Sequence, residues 1–307
     1  MDVEQLRAFV QVAETRSFSM AAELLHISQP AVSKRVRALE NYLGSSLFDR
    51  VGRSTTLTLA GHQLLPAAQA LLASLKDTET LIRNRHGRVE GTLTVATSHH
   101  IGLHRLPPCL RIFCREYPLV RLNLRFEDSE VAHELVRAGG AEIGVVTLDP
   151  LRDATLTYTP LWRDALCFVA GHEHSLAQVA HPLAGLQDHA AILPGMETYT
   201  GRIVADLFAR RGLALKASMS TNYLETIRML VSIGLGWSAL PETMLDESIT
   251  RIHLRDEPHL GRDLGCIVHP GRALSNAARA FLRAITEYAA STQTPPGSSP
   301  TTAPAGP

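Results

Sequence analysis

Apolar positions near the start of the chain recur at the three- and four-residue spacing of helices. Asp2 and Gln5 are placed to form a capping box for the first helix. The apolar stripe of this helix consists of Leu6, Phe9, Val10 and Ala13. The pattern predicts a supporting helix ahead of the segment described next.

Two further short helices, joined by a tight turn, are predicted over about residues 18–37. Ser19 is a candidate cap for the first of them, and residues 26 and 27 interrupt it. One face of this first helix combines Ala21, Leu24 and Leu25. Ser28 is a candidate cap for the second helix, whose first turn holds Pro30, where a missing N–H costs nothing. Two short capped helices with a tight turn between them are typical of a helix-turn-helix.

The second of these helices has two chemically different sides. Its apolar side is formed by Val32, Val36, Leu39 and Leu43. The opposite side carries Pro30, Ser33, Lys34, Arg37 and Asn41, with Gln29 and Arg35 at its margins. A slender helix with such a polar side fits the major groove of DNA, where Gln pairs with adenine edges and Arg or Lys with guanine. The alternative interpretation is a surface helix whose charged side is only solvated.

A hairpin is predicted directly after these helices. The segment Ser46–Leu57 mixes β-forming residues with Gly52 and Arg53 at its centre. A basic tip beside a recognition helix reaches phosphate or the adjacent minor groove. Arg53 is therefore the predicted wing contact, and Arg50 is a weaker candidate.

A long helix is predicted from the capping residue Thr58 to about Arg85. Its seam repeats in steps of three and four residues, with Thr78 among the apolar positions. The dimerisation residues predicted from this seam are Leu64, Ala68, Leu71, Leu75 and Ile82. A second copy of the helix would bury the seam, and paired recognition helices suit paired half-sites on DNA. Packing of the helix on its own chain is the alternative, and Pro66 is expected to kink it.

Beyond about residue 88 the pattern changes to strands that alternate with helices. Strands are predicted at residues 92–97, 120–126, 141–147, 156–161, 165–170, 190–193, 217–220, 236–240 and 264–269. Helices are predicted at residues 103–117, 129–138, 202–211, 224–233 and 276–289. The alternation implies parallel sheets and an α/β fold in two lobes, with the last strand and helix returning to the first lobe.

Two α/β lobes form a cleft, and ligands of such sheets bind beyond the carboxyl ends of the strands, at helix N-termini. The candidate effector contacts at these points are Thr97, Ser98, His99, His100, Thr147, Thr198, Thr200, Thr221 and Asn222. Their hydroxyls and imidazoles, together with backbone N–H groups, favour a small anion such as a carboxylate. Ser and Thr at helix starts are also ordinary caps, so capping is the alternative role for many of them.

The order of residues in the first sixty positions has a family resemblance. The run Ser28-Gln-Pro-Ala-Val-Ser-Lys34 is preceded by Ala21-Ala22 and followed by Leu39-Glu40. Further on stand Gly44, Leu47-Phe48, Arg50, Arg53 and Leu57-Thr-Leu-Ala-Gly61. This segment resembles the DNA-binding domain of LysR-type transcriptional regulators. The resemblance implies a winged helix-turn-helix, a dimerising linker helix and a two-part effector-sensing domain that is similar to periplasmic binding proteins.

The predicted protein is therefore multidomain. Its parts are an α-helical winged helix-turn-helix head (1–58), a dimerising linker helix and hinge (59–88), an α/β effector-binding domain (89–290) and a disordered proline-rich tail (291–307). The first lobe of the effector domain comprises 89–161 and 266–290, and the second comprises 162–265. The expected function is sequence-specific regulation of transcription under the control of a small effector. The expected partners are double-stranded DNA and a second copy in a homodimer or homotetramer, with RNA polymerase as a further candidate.

Composition and charge modify this view only locally. The 30 basic and 30 acidic residues balance, but residues 28–53 hold five basic and two acidic side chains, a patch that suits DNA. The longest nearly apolar run, Met229–Leu240, is too short to span a bilayer. No basic segment followed by an apolar core is visible at the N-terminus, so we expect a cytoplasmic protein.

No catalytic, metal or cofactor site is predicted. The string Gly234–Ala239 matches a dinucleotide-binding pattern but stands after a helix, the reverse of the required context. The histidine pairs at 99–100 and 172–174 lack the spacing of a recognised metal site, so surface or ligand-contact roles are favoured. The four cysteines form no Cys-x-x-Cys pair, which favours reduced thiols in packing roles. An enzyme or transport-type binding protein with a basic helix pair and a redox-responsive regulator are the competing hypotheses.

Overall fold

The computed structural model describes residues 1–51, 54–85, 87–256 and 258–293. Contacts group residues 1–88 into one unit and most of the remaining chain into another. A helical head, a long helix and an α/β domain follow one another along the chain, which confirms the predicted fold class. Within the described residues, no helix is long and apolar enough to cross a membrane.

The head combines three helices with a hairpin. Its elements are α1 (Val3–Thr15), α2 (Phe18–Leu24), α3 (Gln29–Leu43), β1 (Phe48–Val51) and β2 (Ser54–Leu57), followed by the long helix α4 (Leu59–Asn84). The predicted capping box forms, because Asp2 accepts from the Gln5 N–H at 2.8 Å and Gln5 accepts from the Asp2 N–H at 3.1 Å. The apolar sides of the three helices meet in one core, in which Phe9, Val32 and Leu39 are fully buried.

The helix-turn-helix forms where it was predicted, with two local corrections. Ser17 and not Ser19 caps α2, since Arg16 ends α1 in the left-handed conformation and the Ser17 hydroxyl accepts from the Met20 N–H at 3.3 Å. Leu24 and Leu43 were placed on the buried sides, but they are 56% and 39% exposed. Both are the last residues of their helices, and neither belongs to the head core.

Helix α4 begins at the predicted cap, where the Thr58 hydroxyl accepts from the Gly61 N–H at 3.0 Å. Its predicted seam divides into two parts. Ala68 is fully buried in the head core and Leu64 packs beside it, so these two residues follow the alternative of packing on their own chain. Leu71, Leu75 and Ile82 are 53%, 37% and 61% exposed.

The α/β domain is built on a seven-stranded sheet within the described residues. Its strands are β3 (Gly91–Thr97), β4 (Val120–Phe126), β5 (Ile143–Thr147), β6 (Thr157–Gly171), β9 (Ser238–Pro241), β10 (Ile249–Arg251) and β11 (Leu260–Val268). The order is β10-β6-β11-β5-β3-β4, and β9 pairs with β6. β3 is parallel to β4 and β5 as expected, whereas β6 and β11 run antiparallel to their neighbours. The sheet is therefore mixed.

Two predicted regions are divided differently in the structure. The strands expected at 156–161 and 165–170 are one continuous strand, β6, which pairs with β11 along a ribbon whose register shifts between Leu264 and Gly265. The helix expected at 103–117 is two helices, α5 (His99–His104) and α6 (Leu106–Glu116). Two prolines follow Leu106 and start a new helix, because proline is tolerated in a first turn but not in a helix interior.

The remaining elements complete the two lobes. The first lobe adds α7 (Ser129–Ala138) and α11 (Asn276–Gln293). The second lobe contains α8 (Ser175–Gln178), α9 (Tyr199–Arg210), α10 (Leu224–Ser232) and the parallel pair β7 (Ala191–Leu193) and β8 (Ala217–Ser220). Helix α11 returns to the first lobe as predicted, since Phe281 meets Phe113 with ring centroids 5.3 Å apart. Residues 291–293 of the predicted tail are helical, and 294–307 lie outside the described residues.

Candidate DNA-binding surface and effector cleft

The polar side of α3 faces away from the head core. Val32, Val36 and Leu39 on its other side are each at most 2% exposed. The outer side is an open concave surface lined by Gln29, Pro30, Ser33, Lys34, Arg37, Ala38 and Asn41. The residues that the apolar pattern placed on the outer side, together with Gln29 from its margin, thus form one continuous surface.

This outer surface offers both hydrogen-bonding groups and positive charge. The Gln29 side-chain amide donates to the Ser33 hydroxyl at 3.0 Å, which fixes the two side chains relative to each other. Lys34 and Arg37 are exposed and form no ion pair with any other described residue. An amide, a hydroxyl and two cations on one helix side match the donors that read base edges and phosphates.

Arg35 and Ser28, two of the other predicted DNA contacts, do not line this surface. Arg35 turns toward α1, where its guanidinium lies 2.9 Å from the Glu4 carboxylate, so it serves helix packing rather than the outer surface. Ser28 is exposed at the N-cap of α3 and makes no side-chain capping hydrogen bond. Arg50 lies in β1, and Arg53 lies outside the described residues.

The two lobes of the α/β domain face each other across a cleft, at the carboxyl ends of β3 and β5. The cleft is lined by Ser98, His99, His100, Asp128, Ser129, Glu130, Thr147, Pro194, Thr198, Tyr199, Thr200, Asn222, Leu224 and Arg262. Seven of the nine predicted effector contacts belong to this set. Most of the effector contacts predicted at the strand ends therefore lie in this one cleft.

Two predicted contacts do not line the cleft. Thr97 is fully buried and its hydroxyl donates to the Val145 carbonyl at 2.8 Å, which ties β3 to β5. The Thr221 hydroxyl accepts from the Tyr223 N–H at 3.4 Å in a local turn. Thr198 lines the cleft but also caps α9, accepting from the Gly201 N–H at 3.0 Å. The capping alternative is thus correct for part of the set.

A buried ion pair that the sequence analysis missed lies at the floor of the cleft. Arg262 is 7% exposed and its Nε lies 2.9 Å from the Asp164 carboxylate, which is 1% exposed. Arg262 Nη1 also donates to the Thr200 hydroxyl at 2.6 Å, and Arg105 approaches Asp164 at 3.3 Å. Arg262 and Asp164 are 98 residues apart in sequence, so no local spacing signals the pair.

Polar side chains of the first lobe reach backbone and side-chain groups of the second. The Glu130 carboxylate accepts from the Tyr199 N–H at the start of α9. The Asn222 amide donates to the Asp128 carboxylate at 2.7 Å. Burial raises the pKa of Glu130, and the hydrogen bond from the Tyr199 N–H acts against this rise. The N–H group at the start of α9 is thus already bound to the Glu130 carboxylate of the protein itself.

His100 is the least satisfied polar side chain of the cleft. It is 4% exposed, and neither of its buried ring nitrogens has a hydrogen-bond partner among the described residues. Burial, together with the positive charge of Arg262, lowers the pKa of His100 to about 4. The imidazole is therefore neutral at physiological pH.

The lobes stand in a closed arrangement. The cleft encloses about 50 Å³, whereas sites for small molecules usually measure roughly 300–1,000 Å³. Room of this size accommodates little more than water. An effector therefore has to displace some of the contacts between the lobes in order to enter.

Comparison with known proteins finds matches for both parts of the chain. Residues 3–62 match the model of the lysR-family bacterial regulatory helix-turn-helix proteins, and residues 86–290 match the LysR substrate-binding domain. The chain belongs to the LysR family. It is accordingly a DNA-binding transcriptional regulator with an effector-binding domain.

Individual relatives cover different parts of this LysR-family chain. An uncharacterized regulator from the ibpB-leuC intergenic region of Azotobacter vinelandii is 60% identical over 109 residues, which are 36% of this chain and 76% of the relative. YfeR of Shigella flexneri, an uncharacterized helix-turn-helix regulator, is 30% identical over 91% of both chains. A full-length OxyR variant from Pseudomonas aeruginosa has the same fold, with 23% identity, a TM-score of 0.67 and coverage of 93% of this chain and 98% of its own.

The buried ion pair gives a stability prediction with an internal control. We expect Arg262→Gln to lower the free energy of unfolding by about 3–5 kcal/mol, because it removes the nearer and more deeply buried of the two cations that pair with the buried Asp164 carboxylate. Arg163→Gln removes the neighbouring pair with Asp263 on the same two strands, where the side chains are 65% and 41% exposed, and should cost less than about 1 kcal/mol.

Chemical denaturation of the two variants measures both values. Equal losses of stability would contradict the assignment of Arg262 and Asp164 as a buried pair.

Proposed function

We propose that the outer surface of α3 enters the major groove of operator DNA and reads it through Gln29, Ser33, Lys34 and Arg37. The observation that carries this proposal is that these four side chains lie on one open surface while the opposite side of the helix is buried in the head core. Recognition helices present polar residues near their N-terminal end to base edges in this way. The hairpin beside α3 supplies further contacts through Arg50 and Arg53.

DNA affinity should respond to these side chains in different ways. Ser33→Ala should weaken binding to a genomic fragment selected with the wild-type protein by about 1–3 kcal/mol, because a base-edge contact is lost. Lys34→Ala should weaken binding to all DNA and lower the salt dependence by about one unit of slope, because a phosphate contact is lost. Gel shifts at several salt concentrations measure both effects.

Lys76→Ala is the matched control for Lys34→Ala, since Lys76 is an exposed lysine on α4 away from the head surface. It removes the same charge and should leave the slope unchanged. Wild-type affinity and slope in both α3 variants would reject this surface as the DNA contact.

The exposed part of the α4 seam points to a homodimer. Leu71, Leu75 and Ile82 leave apolar surface uncovered on one helix, and a second copy of α4 would bury it. Two heads joined in this way contact paired half-sites about one helical turn apart.

Charge in the seam should separate the two copies. We expect Leu71→Asp combined with Leu75→Asp to weaken self-association at least about 100-fold, because each buried leucine contributes about 1.5–3 kcal/mol. Leu151→Asp, at a residue of the α/β domain that is 92% exposed, is the control. Sedimentation over a range of concentrations measures the association, and an unchanged oligomer in the double variant would exclude this seam.

The effector proposed for the cleft is a small organic anion. Its support is the start of α9, which binds the Glu130 carboxylate, together with the buried guanidinium of Arg262 nearby. An effector carboxylate would take the place of Glu130 at the Tyr199 N–H and so change the contacts between the lobes. The regulator thereby changes the arrangement of its DNA-bound heads, without catalysis of its own and in the cytoplasm.

Replacement of Glu130 should show whether its carboxylate competes with an effector carboxylate for the Tyr199 N–H. Small carboxylic acids tested by thermal shift should raise the unfolding midpoint of Glu130→Gln at lower concentrations than that of the wild type, and their neutral amides should not. Glu127→Gln is the control, because Glu127 pairs with Arg125 and does not line the cleft. Equal responses of the two glutamate variants would reject the displacement of Glu130.

A further inference from the structure

Three potential metal ligands meet at the edge of the cleft. His100 and His104 lie one turn apart on α5, with ring centroids 4.8 Å apart, and Glu225 lies in the first turn of α10. The Glu225 carboxylate oxygen is 2.9 Å from Nε2 of His104 and 3.8 Å from Nδ1 of His100. One donor atom from each residue lies within 4.8 Å of the others.

The state of His100 indicates that the cluster has a further partner. A buried imidazole without hydrogen bonds loses its hydration and gains no hydrogen bond in exchange, which is unfavourable. His100 has both ring nitrogens in this condition, and the distance of 3.8 Å to Glu225 is too long for a hydrogen bond. A buried imidazole whose ring nitrogens have no hydrogen-bond partner is available as a metal ligand.

We propose that His100, His104 and Glu225 bind a divalent transition-metal ion, with Zn²⁺ as the best match. Two imidazoles and one carboxylate are a zinc donor set, and three protein ligands leave a fourth position for water or another ligand. Tetrahedral bonds of about 2.0–2.2 Å place the ligand atoms roughly 3.3–3.6 Å apart. The two separations from Glu225, 2.9 and 3.8 Å, bracket this value, and all three ligand atoms lie within 4.8 Å of one another, so metal binding requires side-chain rotation to bring them to tetrahedral spacing.

The chemistry of the site selects against other cations. Ca²⁺ and Mg²⁺ require oxygen ligands, of which the cluster offers only those of Glu225. The charge of Arg262 acts on His100 and opposes a cation there, but Asp164 acts in the opposite sense and is paired with Arg262. The two imidazole nitrogens therefore favour a transition-metal ion over Ca²⁺ or Mg²⁺.

The metal would connect the two lobes. His100 and His104 belong to the first lobe, whereas Glu225 belongs to the second, 121 residues after His104. A ligand that binds only when these elements are close stabilises the closed arrangement. The metal site is thus a regulatory input in addition to the proposed anion, and it does not depend on the proposed DNA contacts.

Cobalt(II) is the probe for this site, because its visible absorption reports tetrahedral coordination. The full-length protein, first freed of metal with EDTA, should bind one Co²⁺ per chain, and Zn²⁺ should displace it. His104→Ala and Glu225→Gln should each weaken binding at least tenfold, since each removes one of three ligands. His253→Ala is the control, because His253 is an exposed histidine outside the cluster.

Thermal unfolding provides the second readout. Zn²⁺ should raise the unfolding midpoint of the wild type and of His253→Ala, and it should have little effect on the two ligand variants. His104 is 43% exposed, so its alanine variant is expected to fold, and unfolding curves in EDTA verify this. Unchanged Co²⁺ affinity in both ligand variants, or no tetrahedral absorption in the wild type, would overturn the proposal. DNA binding in EDTA would persist in either case and is tested separately.

Discussion

The head of this regulator depends on the burial of one side of α3. Val32, Val36 and Leu39 each contribute about 1.5–3 kcal/mol by packing against α1 and α2. Rotation of α3 about its axis would expose these side chains and bury Lys34 or Arg37 without a partner. The direction of the polar side is thus determined by the core before any DNA is present. The Arg35–Glu4 contact adds a polar link between α3 and α1.

The α/β domain is held together by a different balance of forces. Each lobe has its own apolar core, whereas the contacts across the cleft are mainly polar. A hydrogen bond to a carboxylate contributes only about 1.5–3 kcal/mol net, because water replaces either partner when the lobes separate. Ligands therefore compete with these contacts at modest cost, while the interior of each lobe stays intact. This difference is what allows one domain to be both stable and responsive.

The sequence predicted features that arise from local periodicity or from strand ends. The two sides of α3, the cap at Thr58 and most of the cleft lining follow from such short-range rules. Arg262 was missed because its partner lies on a distant part of the chain. Ala68 was misplaced because the heptad pattern does not reveal which copy of the protein covers a position. The continuity of β6 was missed because the charged pair Arg163 and Asp164 has the appearance of a loop.

The same charged pair determines how the ribbon between the lobes is aligned. Arg262 stands opposite Asp164, and Asp263 stands opposite Arg163, so opposite charges face each other on both surfaces of the β6–β11 ribbon. Because successive residues of a strand point to opposite sides, a slip of β6 by one residue would turn Arg163 inward and Asp164 outward. Such a slip is therefore unfavourable. The side chains that form the buried ion pair of the cleft thus also fix the register of the ribbon that joins the two lobes.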